Sequence, residues 1–402
     1  MKNAIARYAP AVLLCLAGVL LCLAGAAHGG DLHASEKGRR PRYEVKKLPS
    51  LGGTSSVGNS INNRGWVAGR SNLPGNQSRH ATLWRHGSLV DLGTLGGPNS
   101  AVLWPVKNVR GLIAGITQTA EEDPLGENWS CAAFFPAATG TGHRCVGFAW
   151  EDGVMTPLPT LGGTHGFATG ANNRGEIVGW AENTVLDPTC EPPQVLQFRA
   201  VMWGPGHHNV RELPPLGDDT VSAATAVNDR GQAVGISGIC DQAVGRFSAL
   251  HAVLWQRDEV IDLGNLGGIA WHTPMSISLR GDVVGFSNFS EEDGGDLVPH
   301  AFLWTRRHGI RDLGTLRGDV TSQGVGVNEW RQVVGTSCDA EDNCRAFLWH
   351  DGTMKNLNDL VVSGDALELI TANDIDDFGR ITGQAVDEET GELVAFVARP
   401  LH

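Results

Sequence analysis

A cassette of about 50 residues recurs seven times in this chain of 402 residues, and a period of that length implies supersecondary units packed one against the next. Three anchors define the cassette: a Leu-Gly-Gly turn, an Asn-x-x-Gly turn, and an apolar stretch ending in Trp. The first anchor stands at Leu51-Gly52-Gly53, Leu95-Gly96-Gly97, Leu161-Gly162-Gly163 and Leu266-Gly267-Gly268, with degraded copies at Leu216-Gly217-Asp218, Leu316-Arg317-Gly318 and near Leu360. Length alone would suggest roughly two or three domains. The repeat overrules that expectation and predicts a single domain over residues 42–400.

Each cassette reads as four short strands. In the fourth copy, Ser222 to Val227 alternates small and apolar residues, Asn228-Asp229-Arg230-Gly231 makes a turn, and Gln232 to Ser237 runs out again as strand. Asn caps such a turn with its side chain, and Gly accepts positive φ. The same turn recurs at Asn62 to Gly65, Asn108 to Gly111, Asn172 to Gly175, Ser278 to Gly281 and Asp376 to Gly379, whereas Arg331 takes the Gly place after Asn328 and predicts strain there. A third strand ends in Trp, as in His251-Ala252-Val253-Leu254-Trp255. A fourth reads Val260-Ile261-Asp262-Leu263 or Ile310-Arg311-Asp312-Leu313 before the next Leu-Gly-Gly. Four antiparallel strands repeated seven times predict an all-β, seven-bladed β-propeller.

The chain ends fit a closed ring. Tyr43 to Leu48 matches the fourth strand of a unit, while the last copy supplies only the first three, Ile370 to Ile375, Arg380 to Ala385 and Val394 to Arg399. The closing blade is therefore expected to pair the N-terminal strand with Val394 to Arg399, leaving no exposed sheet edge. An open solenoid would instead want distinct end caps.

Spacing locates the variable part of the fold. From each Trp to the next turn Leu takes 11 to 13 residues, but from the Asn-x-x-Gly turn to the next Trp takes 21 to 42. With the small-residue strand at the axis, the variable loop joins the second and third strands and shares a face with the Leu-Gly-Gly links. Cys131, Cys145, Cys190, Cys240, Cys338 and Cys344 all fall in these loops. The shortest reach pairs Cys131 with Cys145, Cys190 with Cys240 and Cys338 with Cys344, one choice among fifteen.

Residues 1–26 read as a secretory signal: Lys2 and Arg7, an apolar run from Ala11 to Leu23, then small residues at Ala24-Gly25-Ala26-Ala27. An uncleaved anchor is the alternative, since the run nearly spans a bilayer; after cleavage no membrane span remains. Residues 27–41 read as a disordered lead-in. An exported chain suits disulfides rather than thiol chemistry, and an extracellular or periplasmic location is expected. The formal charge is -13, and -15 without Lys2 and Arg7, which argues against nucleic acid as partner.

The string His300-Ala301-Phe302-Leu303-Trp304, then Asp312-Leu313-Gly314-Thr315-Leu316, then Gly326-Val327-Asn328 and Gln332-Val333-Val334-Gly335 resembles the HAF repeat family of bacterial exported proteins. The resemblance covers nearly the whole mature chain. The second copy departs most, with Val146-Gly147-Phe148-Ala149-Trp150 and a long insert. The resemblance implies an extracellular repeat protein and carries over no catalytic residues.

Motifs for chemistry are sparse. His80, His251 and His300 occupy equivalent places, but Arg199 and Arg345 replace them in other copies, so they read as scaffold and not as metal ligands. Asp91, Asp262 and Asp312 likewise read as turn or edge residues. No nucleophile elbow, zinc-binding helix or phosphate loop occurs, and no catalytic residue or cofactor is assigned. Calcium is the one ion considered, at Glu291 to Asp296 and at Asp339 to Asn343, which offer oxygen donors without the spacing of a known calcium loop. The irregular residues of the loop face remain as ligand-binding candidates: Trp129, His143 and Arg144 with Phe134 and Phe135 in the long insert, and His165, Trp271 and His272 on links between blades. The expectation is a monomeric, non-enzymatic binding scaffold for an extracellular glycan, peptide or protein, its function in the disulfide-pinned loops. A hydrolase or lyase acting on an extracellular polymer, and a structural module without a small ligand, are the alternatives.

Overall fold

A computed structural model of the chain describes residues 41–127, 129–241, 245–257, 259–289 and 297–401. The expected signal (1–26), all but the last residue of the lead-in, and the acidic segment Glu291 to Asp296 lie outside the described residues. The described chain forms seven sheets in a ring, a seven-bladed propeller. The first blade holds Ser56–Ile61, Val67–Asn72, Arg79–Arg85 and Ser88–Asp91. In each blade the first strand is innermost, and in the first six blades the fourth is outermost; from the third blade round to the first, innermost strands of neighbouring blades pack on one another around the axis.

Space at the axis explains the small residues of the first strands. A Cβ on Gly326, in the sixth blade, would lie 2.8 Å from the Asp374 Cα of the seventh. Every pairing of first and second strands also shifts register, as between Ala224 and Ala226. In every blade but the second, the Gly that ends the second-strand motif stands opposite that shift: a Cβ on Gly235 would meet the Ala224 Cα at 2.7 Å. Outward from the axis, apolar faces of adjacent blades interlock. Phe302, Phe347 and Phe396 of the third strands are fully buried. The repeated Trp also ties blades together, since the indole N–H groups of Trp84, Trp203 and Trp255 donate to the carbonyls of Pro49, Pro159 and Pro214 at 2.7–2.9 Å.

The ring closes as the chain ends foretell. Arg42–Lys47 lies antiparallel to Leu393–Leu401, Val45 opposite Ala398, and the Leu48 N–H donates to the Ala395 carbonyl at 2.8 Å. Tyr43 and Val45 point inward and are buried. A fifth strand, Val361–Gly364, runs parallel to Arg42–Lys47 and covers its outer edge. The sequence reading has no such strand.

The three expected disulfides are present: Cys131–Cys145, Cys190–Cys240 and Cys338–Cys344. The second joins the long loops of the third and fourth blades. Arg331 has φ 58°, the strained conformation expected of it. Its guanidinium donates twice to Asp282 of the neighbouring blade, at 2.7 and 3.2 Å, which compensates the strain. Among the described residues no helix is long and apolar enough to cross a membrane.

Candidate functional site

The propeller has two unlike faces. One carries the loops between second and third strands and the Leu-Gly-Gly links; the other carries the Asn-x-x-Gly turns and the turns between third and fourth strands.

On the loop face, the second blade's long loop is folded down rather than held open. Phe134 packs edge-on against Trp104 and Phe167, at 5.7 and 5.4 Å, and Phe167 stacks on Trp180 at 4.4 Å. The Arg144 guanidinium donates to the Thr164 carbonyl at 2.8 Å and to Glu121 at 2.9 Å, and His143 Nδ1 lies 3.1 Å from the Thr119 carbonyl. Trp129 begins a four-residue helix, and its side chain lies outside the described residues. The candidates do not form one surface. His143, Arg144 and His165 gather at the second and third blades, whereas Trp271 and His272 sit at the fifth.

Burial corrects three of these candidates. His165, Trp271 and His272 are 3, 4 and 1% exposed, so none presents a side chain to a sugar or peptide from solvent. Trp271 packs on Phe286 at 5.0 Å. His272 Nδ1 lies 2.8 Å from the Ser287 hydroxyl and Nε2 3.1 Å from the Gly268 carbonyl; burial pushes its pKa down to about 4. His165 and Trp271 end links between blades and His272 opens the first strand of the fifth, and all three descend into the seams instead of projecting.

Beneath the long loop lies a buried charged cluster that the sequence reading misses. His165 Nδ1 accepts the Cys145 N–H at 3.1 Å, and its Nε2 lies 3.4 Å from Asp123. Burial opposes charge on His165, and the surrounding carboxylates Asp123, Glu182 and Glu127 outweigh it and raise its pKa. Burial, with Glu127 adding, pushes Glu182 up to about 7. No spacing rule connects these residues, which come from a loop, a link and a strand of two blades.

The repeated polar residues of the third strands prove to be scaffold, as read. His80 bonds Asp91 at 2.9 Å and His300 bonds Asp312 at 3.1 Å, each joining neighbouring strands of one blade. Asp91 and Asp312 also accept the N–H groups of Gly93 and Gly314 at 2.8 and 2.7 Å, which fastens the turn that follows each fourth strand.

Around the axis on the turn face, side chains of the Asn-x-x-Gly turns link every blade to the next. Asn62 donates to the Asn108 carbonyl, Asn172 to that of Asn228, Asn228 to that of Ser278 and Asn328 to that of Asp376, all at 2.9–3.0 Å. The other three seams use the Val109, Leu279 and Asp377 N–H groups, donated to Asn173, Glu329 and Asn63 at 2.6–3.0 Å. Inside this belt is a cavity of about 90 Å³ lined by Asp229, Glu329, Asp377 and Lys107. Lys107 pairs with Asp374, which is fully buried and whose pKa burial raises.

Outside the belt the third turn residue projects into solvent. It is Arg64, Arg110, Arg174, Arg230 and Arg280 in five blades, and Trp330 and Phe378, 62 and 65% exposed, in the other two. Turns between third and fourth strands add Arg85, His86, Arg257 and Arg306. Two grooves between blades result. The larger, about 470 Å³ between the first and seventh blades, is lined by Arg64, Arg85, His86, Phe378, Arg380 and Arg399. The other, about 270 Å³, holds Arg230, Arg257, Arg280 and Arg306. In the larger groove Arg380 is held by Asp376 at 2.6 Å, but Arg64, Arg85 and Arg399 have no ion-pair partner among the described residues. Arg64 and Arg85 lie instead over the Trp66 ring, at 5.2 and 5.5 Å. The opposite face exposes carboxylates, including Glu121, Glu122, Asp218, Glu341 and Glu388. The signal was present in the sequence as Arg at the third place of successive turns.

No family profile matches the chain, and no curated protein sequence does. Among solved structures, the chain is similar to the acylaminoacyl peptidase of Pyrococcus horikoshii, with 10% identity and a TM-score of 0.46, over 90% of this chain and 52% of that one. It thus spans about half the length of that peptidase. It is also similar to the β-propeller domain of the trilobed protease from Pyrococcus furiosus, with 8% identity and a TM-score of 0.49, over 90% of this chain and 98% of that domain. Likenesses this distant assign no chemistry to the chain.

Proposed function

We propose that this protein is an exported, non-enzymatic binding scaffold whose turn face takes an acidic extracellular polysaccharide in the groove between the first and seventh blades. The observation that carries the reading is the gathering around one groove of three guanidiniums, Arg64, Arg85 and Arg399, that have no ion-pair partner among the described residues. Guanidinium matches carboxylate and sulfate groups with paired hydrogen bonds. Phe378, exposed beside them, offers a flat apolar face of the kind sugar rings lie on. Three disulfides support an oxidising compartment, and the reading of residues 1–26 as an export signal agrees.

The hydrolase or lyase alternative would place its chemistry at the axis mouth. There Glu329 and Asp377 already accept backbone N–H groups of neighbouring turns, which supports a structural use of those carboxylates.

Binding of polygalacturonate and dextran sulfate, with neutral dextran as control, tests the proposal by calorimetry. The two acidic polymers are expected to bind, more weakly as salt rises, and neutral dextran is not. The double variant Arg64→Glu/Arg399→Glu should weaken binding by about tenfold or more, while Glu121→Arg/Glu122→Arg on the opposite face should not. Equal binding by the charge-reversed groove would sink the reading. Shortening of the polymer on long incubation would instead favour the hydrolase or lyase.

A further inference from the structure

We infer that a hard divalent cation of the calcium class binds between the second and third blades, held by the carboxylates of Glu127 and Glu182 beneath the long loop of the second blade. Glu127 comes from that loop, Glu182 from the third blade's second strand, and Gln194 from its adjoining loop. They are 0, 3 and 2% exposed. Glu127, Glu182 and His165 each place one ligand-type atom within 4.8 Å of the others.

Among the described residues, the hydrogen bonds leave acceptors without donors. Glu127 Oε2 accepts the Val195 and Leu196 N–H groups at 3.1 and 2.9 Å, while its Oε1 is buried and has no partner. Gln194 Nε2 donates to Glu182 at 2.9 Å and to the Leu196 carbonyl at 2.7 Å, which fixes the amide orientation and leaves Oε1 unpartnered. Asp123 Oδ2 is buried as well, and among the described residues it meets His165 Nε2 at 3.4 Å. Three carboxylates thus face a single imidazole, and buried charge without a counter-charge costs several kcal/mol per ion. A cation accepted by oxygen atoms removes both the charge excess and the orphaned acceptors.

The donor set selects the ion. His165 Nδ1 accepts the Cys145 N–H, so the ring proton sits on Nε2 and that nitrogen has no lone pair for a metal. Cys131 and Cys145 lie near His165 but share a disulfide and offer no thiolate. Oxygen ligands remain, and oxygen-only sites of flexible geometry favour calcium over zinc. The site differs from both acidic segments considered from the sequence, and bound calcium there would pin the long loop to the third blade.

The test uses the mature chain, dialysed against chelator and then given about 1 mM calcium, magnesium or zinc, in the range of extracellular calcium modules. Calcium should raise Tm by a few degrees and slow proteinase K cleavage within residues 123–142. Equilibrium dialysis with radioactive calcium should show one bound ion fewer per chain in Glu127→Gln than in the parent, with Glu182→Gln as the second variant should the first misfold. A parent chain without bound calcium would overturn the inference in favour of a proton held between the carboxylates. An undiminished calcium response in both variants would place the ion elsewhere and overturn it as well. Stabilisation by zinc above that by calcium would overturn the oxygen-donor assignment.

Discussion

His272 offers a sharp test of how the blade seams are built. It opens the first strand of the fifth blade, His272–Ile277, and is almost wholly buried. The Gly268 carbonyl can only accept, so Nε2 carries the proton, and the Ser287 hydroxyl donates to Nδ1 while accepting the Leu266 N–H at 2.9 Å. The charged groups around it are His251, which disfavours protonation, and Asp262, which favours it weakly. Burial dominates and places the folded pKa at about 4 against an ordinary value of 6.5. Between those values the unfolded chain binds a proton that the folded chain does not, so stability falls as pH drops from 6.5 towards 4. Integrating the linkage from pH 7.5 to 4.5 gives a loss of about 2.5 kcal/mol from this one group. Guanidinium unfolding of the parent and of His272→Gln, at both pH values with disulfides intact, isolates the term. The variant is less stable at pH 7.5 but should lose about 2.5 kcal/mol less on acidification. Imidazole titration by NMR gives the folded pKa without assuming two-state unfolding. A midpoint at 6 or above, or equal acid sensitivity of the two proteins, would refute the neutral buried imidazole.

Two further perturbations address closure and cross-links. Tyr43→Ala, which empties the inner face of the N-terminal strand, should cost about 3–5 kcal/mol by guanidinium unfolding, whereas exposed Lys46→Ala should stay within about 0.5 kcal/mol; equal effects would mean that this strand does not close the ring. Cys190→Ser/Cys240→Ser opens a loop of 50 residues and should cost about 4 kcal/mol by chain entropy, against about 2 kcal/mol for Cys338→Ser/Cys344→Ser, whose loop spans 6. The reverse order, read as melting temperatures, would contradict that account.

The parts of the fold visible in the sequence are those with a mechanical reason to recur. A turn needs its Asn and Gly, a tight axis needs small residues, and a ring whose last unit lacks one strand must borrow it from the other end. The fifth closing strand was not legible, because Val361–Gly364 stands where other copies carry only a link and its parallel partner lies more than 300 residues away. The double use of Asn was also hidden. Asn228 Oδ1 accepts the Arg230 and Gln232 N–H groups within its own turn, as the motif suggests, while Nδ2 crosses to the next blade. Blade geometry alone reveals the second bond. The second blade departs from the pattern: Gly96–Ala101 ends well before the Asn108 turn, and Lys107 reaches across to the seventh blade's Asp374.

In this propeller the variable loops and the basic surface lie on opposite faces. Variation along the loops marks them as places where function can differ between blades, yet here the loop face is packed down by aromatics and exposes acidic side chains. Repetition of Arg64, Arg110, Arg174, Arg230 and Arg280 counts against a unique catalytic centre, since none of the five is special. It does not count against binding a polymer, because a polymer repeats too, and several modest contacts act together when ligand and receptor share a rhythm. Net charge hides the same feature. A chain at -13 repels polyanions on average, but the third turn position gathers five arginines on one face, and a ligand close to the surface responds to the face it meets.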